Sequence, residues 1–216
     1  MIRVLIADDH AVLRAGIKHL LSEHGDIVVA GEAANGHETL AKIRDEHWDA
    51  LVLDMTMPGR SGIELIKQIK QMVPKLPVLI LSMHKEDVYA VRALKAGAAG
   101  YLCKDNAEDQ LATALRKVAG GGLYITSAVA EKLAAGLMRG GNDDAPLHTR
   151  LSDREYQVFQ MIAAGTGLTE IGDTLSLSVK TVSTHKVHIL EKLECANTAD
   201  LIHYSIRHQL SSIDGE

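Results

Sequence analysis

The sequence predicts a doubly wound α/β domain built on a five-stranded parallel sheet, followed by a small all-α domain of four helices. Residues 1–119 repeat one pattern five times, a short continuous apolar run and then an amphipathic stretch, whereas residues 151–210 carry helical patterning only. Continuous apolar runs are typical of strands that are covered on both faces, as in a parallel sheet. Helices that alternate with such strands through right-handed crossovers produce the doubly wound arrangement.

The five apolar runs define the predicted strands of the sheet. They are residues 4–7, 27–30, 50–53, 78–81 and 100–103. The stretches between them place apolar residues three and four positions apart, which is the spacing of a helix with one buried face. The clearest stripes comprise Leu13, Ile17, Leu20 and Leu21 in the first stretch, and Ile63, Ile66 and Ile69 in the third. Ligands of such folds bind at the carboxyl ends of the strands, so we expect a functional site there.

A segment of different composition separates the two domains. Residues 120–149 contain three consecutive glycines, a predicted helix that begins with Ser127 as its cap, and a stretch rich in Gly, Asp and Pro. We therefore predict one domain at residues 1–119, a linker with a short helix at 120–149, and a second domain at 150–216.

The second domain is predicted to contain a helix-turn-helix. Ser152 and Glu155 have the spacing of a capping box at the start of its first helix. Residues 168–175 and 179–192 form two further predicted helices joined by a short turn, and a last helix begins near residue 198. Two helices joined in this way are the frame of many DNA-binding motifs.

Composition limits the kinds of protein that this chain can be. The net charge is −5, and residues 150–216 sum to −3 from six Lys/Arg and nine Asp/Glu, so bulk positive charge cannot hold nucleic acid. No apolar run approaches the roughly 18 residues of a membrane span, and no signal-peptide pattern opens the chain, so we expect a cytoplasmic protein without a membrane partner. Cys103 and Cys195 lie far apart without ligand-like spacing, which predicts free thiols and no zinc site.

Polar residues follow four of the predicted strands at the points where those strands end. Asp8 and Asp9 end the first strand, Asp54 the third, Ser82 the fourth and Lys104 the fifth. The first strand is predicted to be central and flanked by the third, so the three acids converge. Clustered carboxylates repel one another unless a cation lies among them, and hard oxygen ligands suit Mg²⁺. An ionised Asp can also attack phosphorus, while a Lys and a Ser stabilise the transferred group.

Each of these residues also has an ordinary structural explanation. A single Asp after a strand is usually the cap of the next helix, and Asp9 could cap a helix that starts at His10. A single Lys after a strand is usually solvated. Five such residues at the ends of four strands are hard to obtain from capping, and the combination therefore favours a functional site.

Four segments that carry these residues resemble the receiver domains of two-component response regulators. They read IADDH from residue 6, LDMTMPGRSG from residue 53, LSMH from residue 81 and AGAAGYLCK from residue 96. The resemblance covers about residues 1–119 and implies a flavodoxin-like fold. It also implies that Asp54 accepts a phosphoryl group from a sensor histidine kinase, with Lys104 and Ser82 assisting.

The same resemblance implies further roles for individual residues. Mg²⁺ would be held by Asp9, Asp54 and the backbone carbonyl of Thr56, with Asp8 assisting through water. Tyr101 matches the aromatic switch position of receivers, although a single Tyr on a strand is often ordinary edge packing. Lys104 is followed by Asp105 where many receivers have Pro, so the geometry of that loop is open.

The second helix of the helix-turn-helix is predicted to be amphipathic. An apolar stripe comprises Val179, Val182, Ile189, Leu190 and Leu193. The opposite side comprises Lys180, Thr184, Val187, His188 and Glu191. Hydroxyls can reach base edges in a major groove and a Val can contact a thymine methyl, so this side suits DNA. Taken alone, the pattern also fits a surface helix without a ligand.

Residues 151–155, 164–165, 170–171 and 177–193 resemble the LuxR-type DNA-binding domain, and the whole layout is similar to the NarL/FixJ family of transcriptional regulators. The resemblance implies that the second helix enters the major groove of promoter DNA. Nearest the bases would be Ser183, Thr184 and Val187. A second group would lie nearer the phosphates or have a structural role. It comprises Lys180, Thr181, His185 and Lys186, with His188 beside them.

Two departures and the weak charge affect this expectation. Leu168 replaces a polar residue common in the family, and Gly172 replaces a usual Ala, which implies either close helix packing or a weak helix. Because few cations are available, we expect a homodimer, favoured by phosphorylation, on an inverted repeat of double-stranded DNA.

Two other classes of function remain open on the sequence. A small-molecule sensor could carry the same DNA-binding domain, although the acids and the scarcity of aromatics argue against an acyl pocket. A Mg²⁺-dependent phosphohydrolase could share the topology, but no second acid is placed to act on a free substrate. We expect a regulator rather than an enzyme, able at most to dephosphorylate itself.

Overall fold

The computed structural model describes residues 1–55, 57, 62–82, 87–138, 146–175, 177–208 and 210. The chain divides into two compact units, Met1–Met138 and Arg139–Glu216.

The first unit is built on a parallel sheet of five strands. These are β1 (Ile2–Ala7), β2 (Ile27–Ala33), β3 (Ala50–Asp54), β4 (Val78–Ser82) and β5 (Gly100–Cys103). Their order is β2-β1-β3-β4-β5, and every neighbouring pair is parallel. The predicted fold is confirmed, including the position of β1 beside β3. Strands β2 and β3 lie on opposite sides of β1, so the strand order reverses at β1. Such a reversal leaves a crevice at the carboxyl ends of β1 and β3.

Helices cover both faces of this sheet. They are α1 (Ala11–Ser22), α2 (Gly36–Asp45), α3 (Gly62–Met72), α4 (Asp87–Lys95), α5 (Ala107–Ala119) and α6 (Ser127–Met138). One apolar cluster joins one face to α2, α3, α4 and α6, through residues such as Ile66. The other cluster joins the opposite face to α1 and α5, through residues such as Ile17 and Leu115. Both predicted apolar stripes are confirmed, since their residues lie in these clusters.

The segment after α5 returns to the edge of the sheet. The Tyr101 amide donates to the Tyr124 carbonyl at 3.0 Å, and the Tyr124 amide donates to the Ala99 carbonyl at 2.9 Å. Helix α6 follows and buries Val129 in the first unit. The predicted cap of α6 is wrong by one residue, because the Thr126 hydroxyl accepts the Val129 amide and Ser127 is already helical.

The second unit contains four α-helices in its described residues, as predicted. A 3-10 helix (Leu147–Arg150) precedes α7 (Asp153–Ala163), α8 (Leu168–Leu175), α9 (Val179–Lys192) and α10 (Thr198–Arg207). Its buried side chains include Tyr156, Phe159, Ile171, Val182, Ile189 and Leu201. The predicted capping box is present, with Ser152 and Glu155 each accepting the other's backbone amide.

Gly172 of α8 allows the turn to fold back on that helix. The Leu177 amide donates to the Gly172 carbonyl at 2.8 Å, and a Cβ at Gly172 would lie only 2.8 Å from the Leu177 carbonyl oxygen. The sequence left open either close helix packing or a weak helix, and the structure shows a close approach at Gly172. The close neighbour is the backbone of the turn.

The apolar stripe predicted for α9 is too wide. Val182 and Ile189 are fully buried, but Val179 is 44% exposed and Leu190 is half-buried. At 100° per residue, Val179 and Leu190 lie roughly 60–80° from the centre of the buried arc. They therefore border the core and do not fill it.

Candidate functional site

The predicted acids lie together at the carboxyl ends of the central strands. Asp54 is the last residue of β3, and Asp8 follows β1, where its amide donates to the Ala33 carbonyl of β2. Both aspartates are almost fully buried. Lys104 follows β5 and begins a 3-10 turn that leads into α5. Because parallel strands end at one edge of the sheet, residues from distant parts of the chain meet there.

Lys104 joins the two buried aspartates. Its Nζ lies 2.8 Å from Asp8 Oδ2 and 3.1 Å from Asp54 Oδ1. Burial by itself would lower the pKa of this ammonium, but the hydrogen bond to Asp8 and the charges of Asp54 and Asp8 together raise it. Lys104 is therefore a cation at neutral pH, aimed at the carboxylate of Asp54.

Asp9 and His10 complete the cluster on its exposed side. His10 Nδ1 lies 3.0 Å from Asp9 Oδ1 and 3.1 Å from Asp8 Oδ1. His10 was not predicted to be a site residue, although its position directly after two acids was a signal. Asp9 does not cap α1, because His10 is the cap residue and has no side-chain cap bond. It is Asp8 Oδ1 that accepts the His10 amide, at 2.8 Å.

This cluster fits a divalent cation. One potential ligand atom from each of Asp8, Asp9, His10 and Asp54 lies within 4.8 Å of the others. Among the described residues, this cluster brings together three carboxylates and one ammonium, that of Lys104, which contacts Asp8 and Asp54. The described part of the pocket therefore carries excess negative charge that a metal ion would neutralise. The predicted carbonyl ligand of Thr56 lies outside the described residues.

Ser82 and Tyr101 lie on the neighbouring strands β4 and β5. Ser82 is the buried last residue of β4. The register pairs Ile80 with Tyr101 and Ser82 with Cys103, so Ser82 and Tyr101 point to the same face of the sheet. Tyr101 is buried in the apolar cluster of that face.

Both predicted thiols, Cys103 and Cys195, are free.

The predicted DNA-contacting residues occupy two environments on α9. Exposed are Lys180, Thr181, Thr184, Val187 and His188, and half-buried are Ser183, His185 and Lys186. Two of the hydroxyls already have partners. Thr184 Oγ1 donates to the Lys180 carbonyl at 3.0 Å, and Thr181 Oγ1 lies 2.8 Å from the Ser178 hydroxyl that caps the helix. Burial lowers the pKa of His185, so it is neutral at neutral pH and is a poor partner for a phosphate.

An ion pair attaches α9 to the first helix of its unit. Glu155 of α7 accepts from Lys192 Nζ at 2.6 Å and from the Ser152 amide at 2.7 Å. Burial alone would raise the pKa of Glu155, but these hydrogen bonds hold it below its ordinary value. Glu155 was predicted only as a capping residue. Its pairing with Lys192 was not predicted, since nothing in the local pattern links the two residues.

Arg154 connects α7 to the end of α8. Its guanidinium donates to the Leu175 carbonyl at 2.6 Å and to Gln157 Oε1 at 2.8 Å. The first bond satisfies a carbonyl that the end of a helix leaves without a partner inside the helix. The orientation of the helix-turn-helix in this unit thus depends on charged contacts as well as on its apolar core.

Comparison with known families accounts for both units. Residues 4–116 match the family of response regulator receiver domains, and residues 149–205 match the luxR family of bacterial regulatory proteins. The chain belongs to the response regulators. As a response regulator with a LuxR-type helix-turn-helix domain, it is a DNA-binding regulator and not a classical enzyme.

Relatives of this response regulator align along its whole length. Response regulator UvrY of Escherichia coli K12 is 35% identical over 214 residues, covering 99% of this chain and 98% of the relative. Oxygen regulatory protein NreC of Staphylococcus carnosus is 35% identical and covers 96% and 98%. Both are NarL/FixJ-family response regulators, as the motifs imply.

Solved structures agree with this assignment. RcsB from Salmonella enterica serovar Typhimurium, bound to promoter P1flhDC with the phosphomimetic BeF3−, has a TM-score of 0.67 at 30% identity, covering 94% of this chain and 97% of that one. RcsB bound to promoter rprA has a TM-score of 0.66 at 29% identity, covering 94% and 98%. Within the described part of the response regulator, the helices are too short or too polar to cross a bilayer.

Proposed function

We propose that this protein is a cytoplasmic transcription regulator whose promoter binding is controlled by phosphorylation of Asp54, with a sensor histidine kinase as the phosphoryl donor. The observation that carries the proposal is the buried Asp54 carboxylate at the carboxyl end of β3, with the Lys104 ammonium 3.1 Å away. The functional limits would be 1–119 for the receiver and 150–216 for the DNA-binding domain, with 120–149 joining them.

In this mechanism an oxygen of Asp54 attacks the phosphorus of the phosphorylated histidine of the kinase. The bond from phosphorus to the imidazole nitrogen breaks as the acyl phosphate forms, and the imidazole is the leaving group. Lys104 shifts from carboxylate to phosphoryl oxygen and stabilises the charge that develops there. Asp9, Asp54 and the backbone carbonyl of Thr56 would hold Mg²⁺, with Asp8 acting through water. The ion, when bound, neutralises the phosphoryl oxygens. Water that attacks the phosphorus would break its bond to the Asp54 oxygen, releasing inorganic phosphate and restoring the carboxylate. The protein would thus dephosphorylate itself.

Ser82 and Tyr101 would report the phosphorylated state. The Ser82 hydroxyl would donate to a phosphoryl oxygen and move toward Asp54, leaving room beside Tyr101 on the same face of the sheet. The Tyr101 side chain would then repack and change the surface formed by α4, β5 and α5. Such a change is a shift between two existing packings, driven by the bonds that the phosphoryl group adds.

The exposed side of α9 would enter the major groove. Val187, which is 53% exposed, suits a thymine methyl, and Ser183 and Thr184 lie on the turn before it. Lys180, Thr181 and Lys186 would contact phosphates, with His188 beside them, whereas the neutral His185 would have a structural role. Because the domain carries a charge of −3, a dimer on an inverted repeat would supply the phosphate contacts that one subunit lacks. The relative RcsB is known bound to promoter DNA and as dimers on DNA.

Labelling with acetyl phosphate and Mg²⁺ tests the proposal. We expect a single phosphoryl group on Asp54 by mass spectrometry, no label in Asp54→Asn, and unchanged labelling in Asp109→Asn, which alters an exposed acid of α5. Sedimentation and gel-shift measurements with and without BeF3− then test control of DNA binding. Label retained in Asp54→Asn contradicts the assigned acceptor, and equal dimer fraction and DNA affinity in both states contradict the control by phosphorylation.

A further inference from the structure

Arg14 of α1 contacts the backbone next to the metal-binding acids. Its Nη1 donates to the carbonyl oxygen of Asp8 at 2.7 Å, and its Nε donates to Glu32 Oε2 of β2 at 3.2 Å. The side chain is only 16% exposed, so the guanidinium is held between α1 and the sheet. A planar guanidinium with two fixed partners has a defined orientation, in contrast to a flexible ammonium.

Asp8 is fixed at four points by these and other contacts. Its amide donates to Ala33, and its two carboxylate oxygens accept from the His10 amide and from Lys104. Arg14 holds the remaining polar group, the carbonyl. Because the peptide unit is planar, fixing the Asp8 carbonyl also fixes the direction in which the chain enters Asp9. The exposed carboxylate of Asp9 depends on that direction for its place in the cluster.

We infer that Arg14, anchored by Glu32, is a positioning residue that holds the Asp8–Asp9 peptide in the orientation that binds the divalent cation. The inference rests on the metal site of the proposed function. Groups that orient metal ligands typically affect metal affinity by about 10–100-fold when they are removed. Arg14 meets this description through a backbone group and does not itself bind the ion.

Mg²⁺ titration distinguishes a positioning role of Arg14 from two alternatives, an electrostatic role and a purely structural one. Removing a positive charge near the acids would tighten Mg²⁺ binding if the role of Arg14 were electrostatic. Loss of a bond to a carbonyl would lower the melting temperature but leave the Mg²⁺ affinity unchanged if the role were structural. Positioning alone predicts weaker Mg²⁺ binding despite the loss of positive charge.

The experiment measures the dissociation constant of Mg²⁺ by calorimetry on the full chain, with melting temperatures recorded with and without the ion. We expect Arg14→Ala to raise the constant at least about tenfold. Arg14→Lys keeps the charge but cannot bridge Asp8 and Glu32 in the same plane, so it recovers the affinity only in part. Glu32→Gln weakens binding in the same direction by a smaller factor, and tests the anchor if Arg14→Ala does not fold.

Lys18→Ala is the matched control, because Lys18 lies on the same helix and binds the other oxygen of Glu32 at 3.2 Å. It should leave the Mg²⁺ constant within about twofold, since Arg14 keeps its bonds to Glu32 Oε2 and to the Asp8 carbonyl in this variant. Unchanged or tighter binding in Arg14→Ala, or full affinity in Arg14→Lys, overturns the inference. No Mg²⁺ binding by the unaltered protein would instead refute the proposed metal site.

Discussion

The backbone of Tyr101 is hydrogen-bonded to the backbone of Tyr124, with the amide of the first donating to the carbonyl of the second at 3.0 Å. Tyr101 is the residue proposed to respond to phosphorylation, and Tyr124 begins the segment that leads to α6. A backbone bridge at the edge of the sheet therefore connects the proposed switch residue with the segment that precedes α6.

Gly100→Ala should break this bridge. A Cβ at residue 100 would lie 2.8 Å from the Tyr124 carbonyl oxygen and 2.9 Å from Leu79 Cδ1, so both contacts must open. Overpacking of this kind costs about 1–3 kcal/mol, and hydrogen exchange at the Tyr101 and Tyr124 amides should accelerate. Gly16→Ala, in α1 with no atom within 4 Å of its Cβ, is the control and should not destabilise the protein. Unchanged protection at both amides would contradict the bridge.

Gly172→Ala should damage the helix-turn-helix and spare the receiver. Its Cβ would press on the Leu177 carbonyl, which the turn cannot move without losing the Leu177–Gly172 hydrogen bond. We expect the second unit to lose about 1–3 kcal/mol and DNA affinity to fall, while labelling of Asp54 is unchanged. Gly167→Ala, whose Cβ meets nothing within 4 Å, serves for comparison. Equal DNA binding by both variants would show that the turn tolerates the methyl group.

The Glu155–Lys192 pair should make the second unit sensitive to acid. The pKa of Glu155 in the folded protein lies below its ordinary value of 4.5. Its contribution to the free energy of unfolding is therefore complete above about pH 4.5 and is lost as the pH falls through the lower folded pKa. Lys192 is 40% exposed, and we expect only roughly 1–2 kcal/mol from the pair. Melting curves between pH 3 and pH 7 should show a smaller pH dependence in Glu155→Gln, which keeps the capping box. A dependence equal to that of the unaltered protein would contradict the pairing.

Mg²⁺ should raise the melting temperature of the receiver, because it relieves repulsion among Asp8, Asp9 and Asp54. Chelation with EDTA should reverse the shift. Asp9→Asn should reduce it, since the variant removes one charged ligand, whereas Asp109→Asn should not. A melting curve that does not respond to millimolar Mg²⁺ would count against the site.

Two residues of α9 should affect DNA binding in different ways. Lys180→Ala should weaken binding to all DNA sequences. It should also reduce the slope of log affinity against log salt concentration by about one, as expected for the loss of one phosphate contact. Val187→Ala should leave the salt dependence unchanged and cost about 1–3 kcal/mol of discrimination at one base pair. Competition gel shifts at several salt concentrations measure both quantities. The same salt slope in both variants would contradict the assigned roles.

Local pattern was sufficient for the elements of the fold. The apolar runs of β1, β3, β4 and β5 and the stripes of α1 and α3 were predicted because strand and helix periodicity are properties of neighbouring residues. The convergence of Asp8, Asp54 and Lys104 was also predictable, since parallel strands place their carboxyl ends at one edge. The width of the buried face of α9 was overestimated, because periodicity does not say how much of a helix its neighbours cover.

The sequence by itself determined the order of the elements, the two-domain layout and the residue types at the strand ends. Only the tertiary structure decided which distant groups meet: Arg14 with Glu32, Glu155 with Lys192, and Tyr101 with Tyr124. The physical reason is that a hydrogen bond depends on positions to within a few tenths of an ångström. Register and helix packing set those positions, and no local repeat in the chain encodes them.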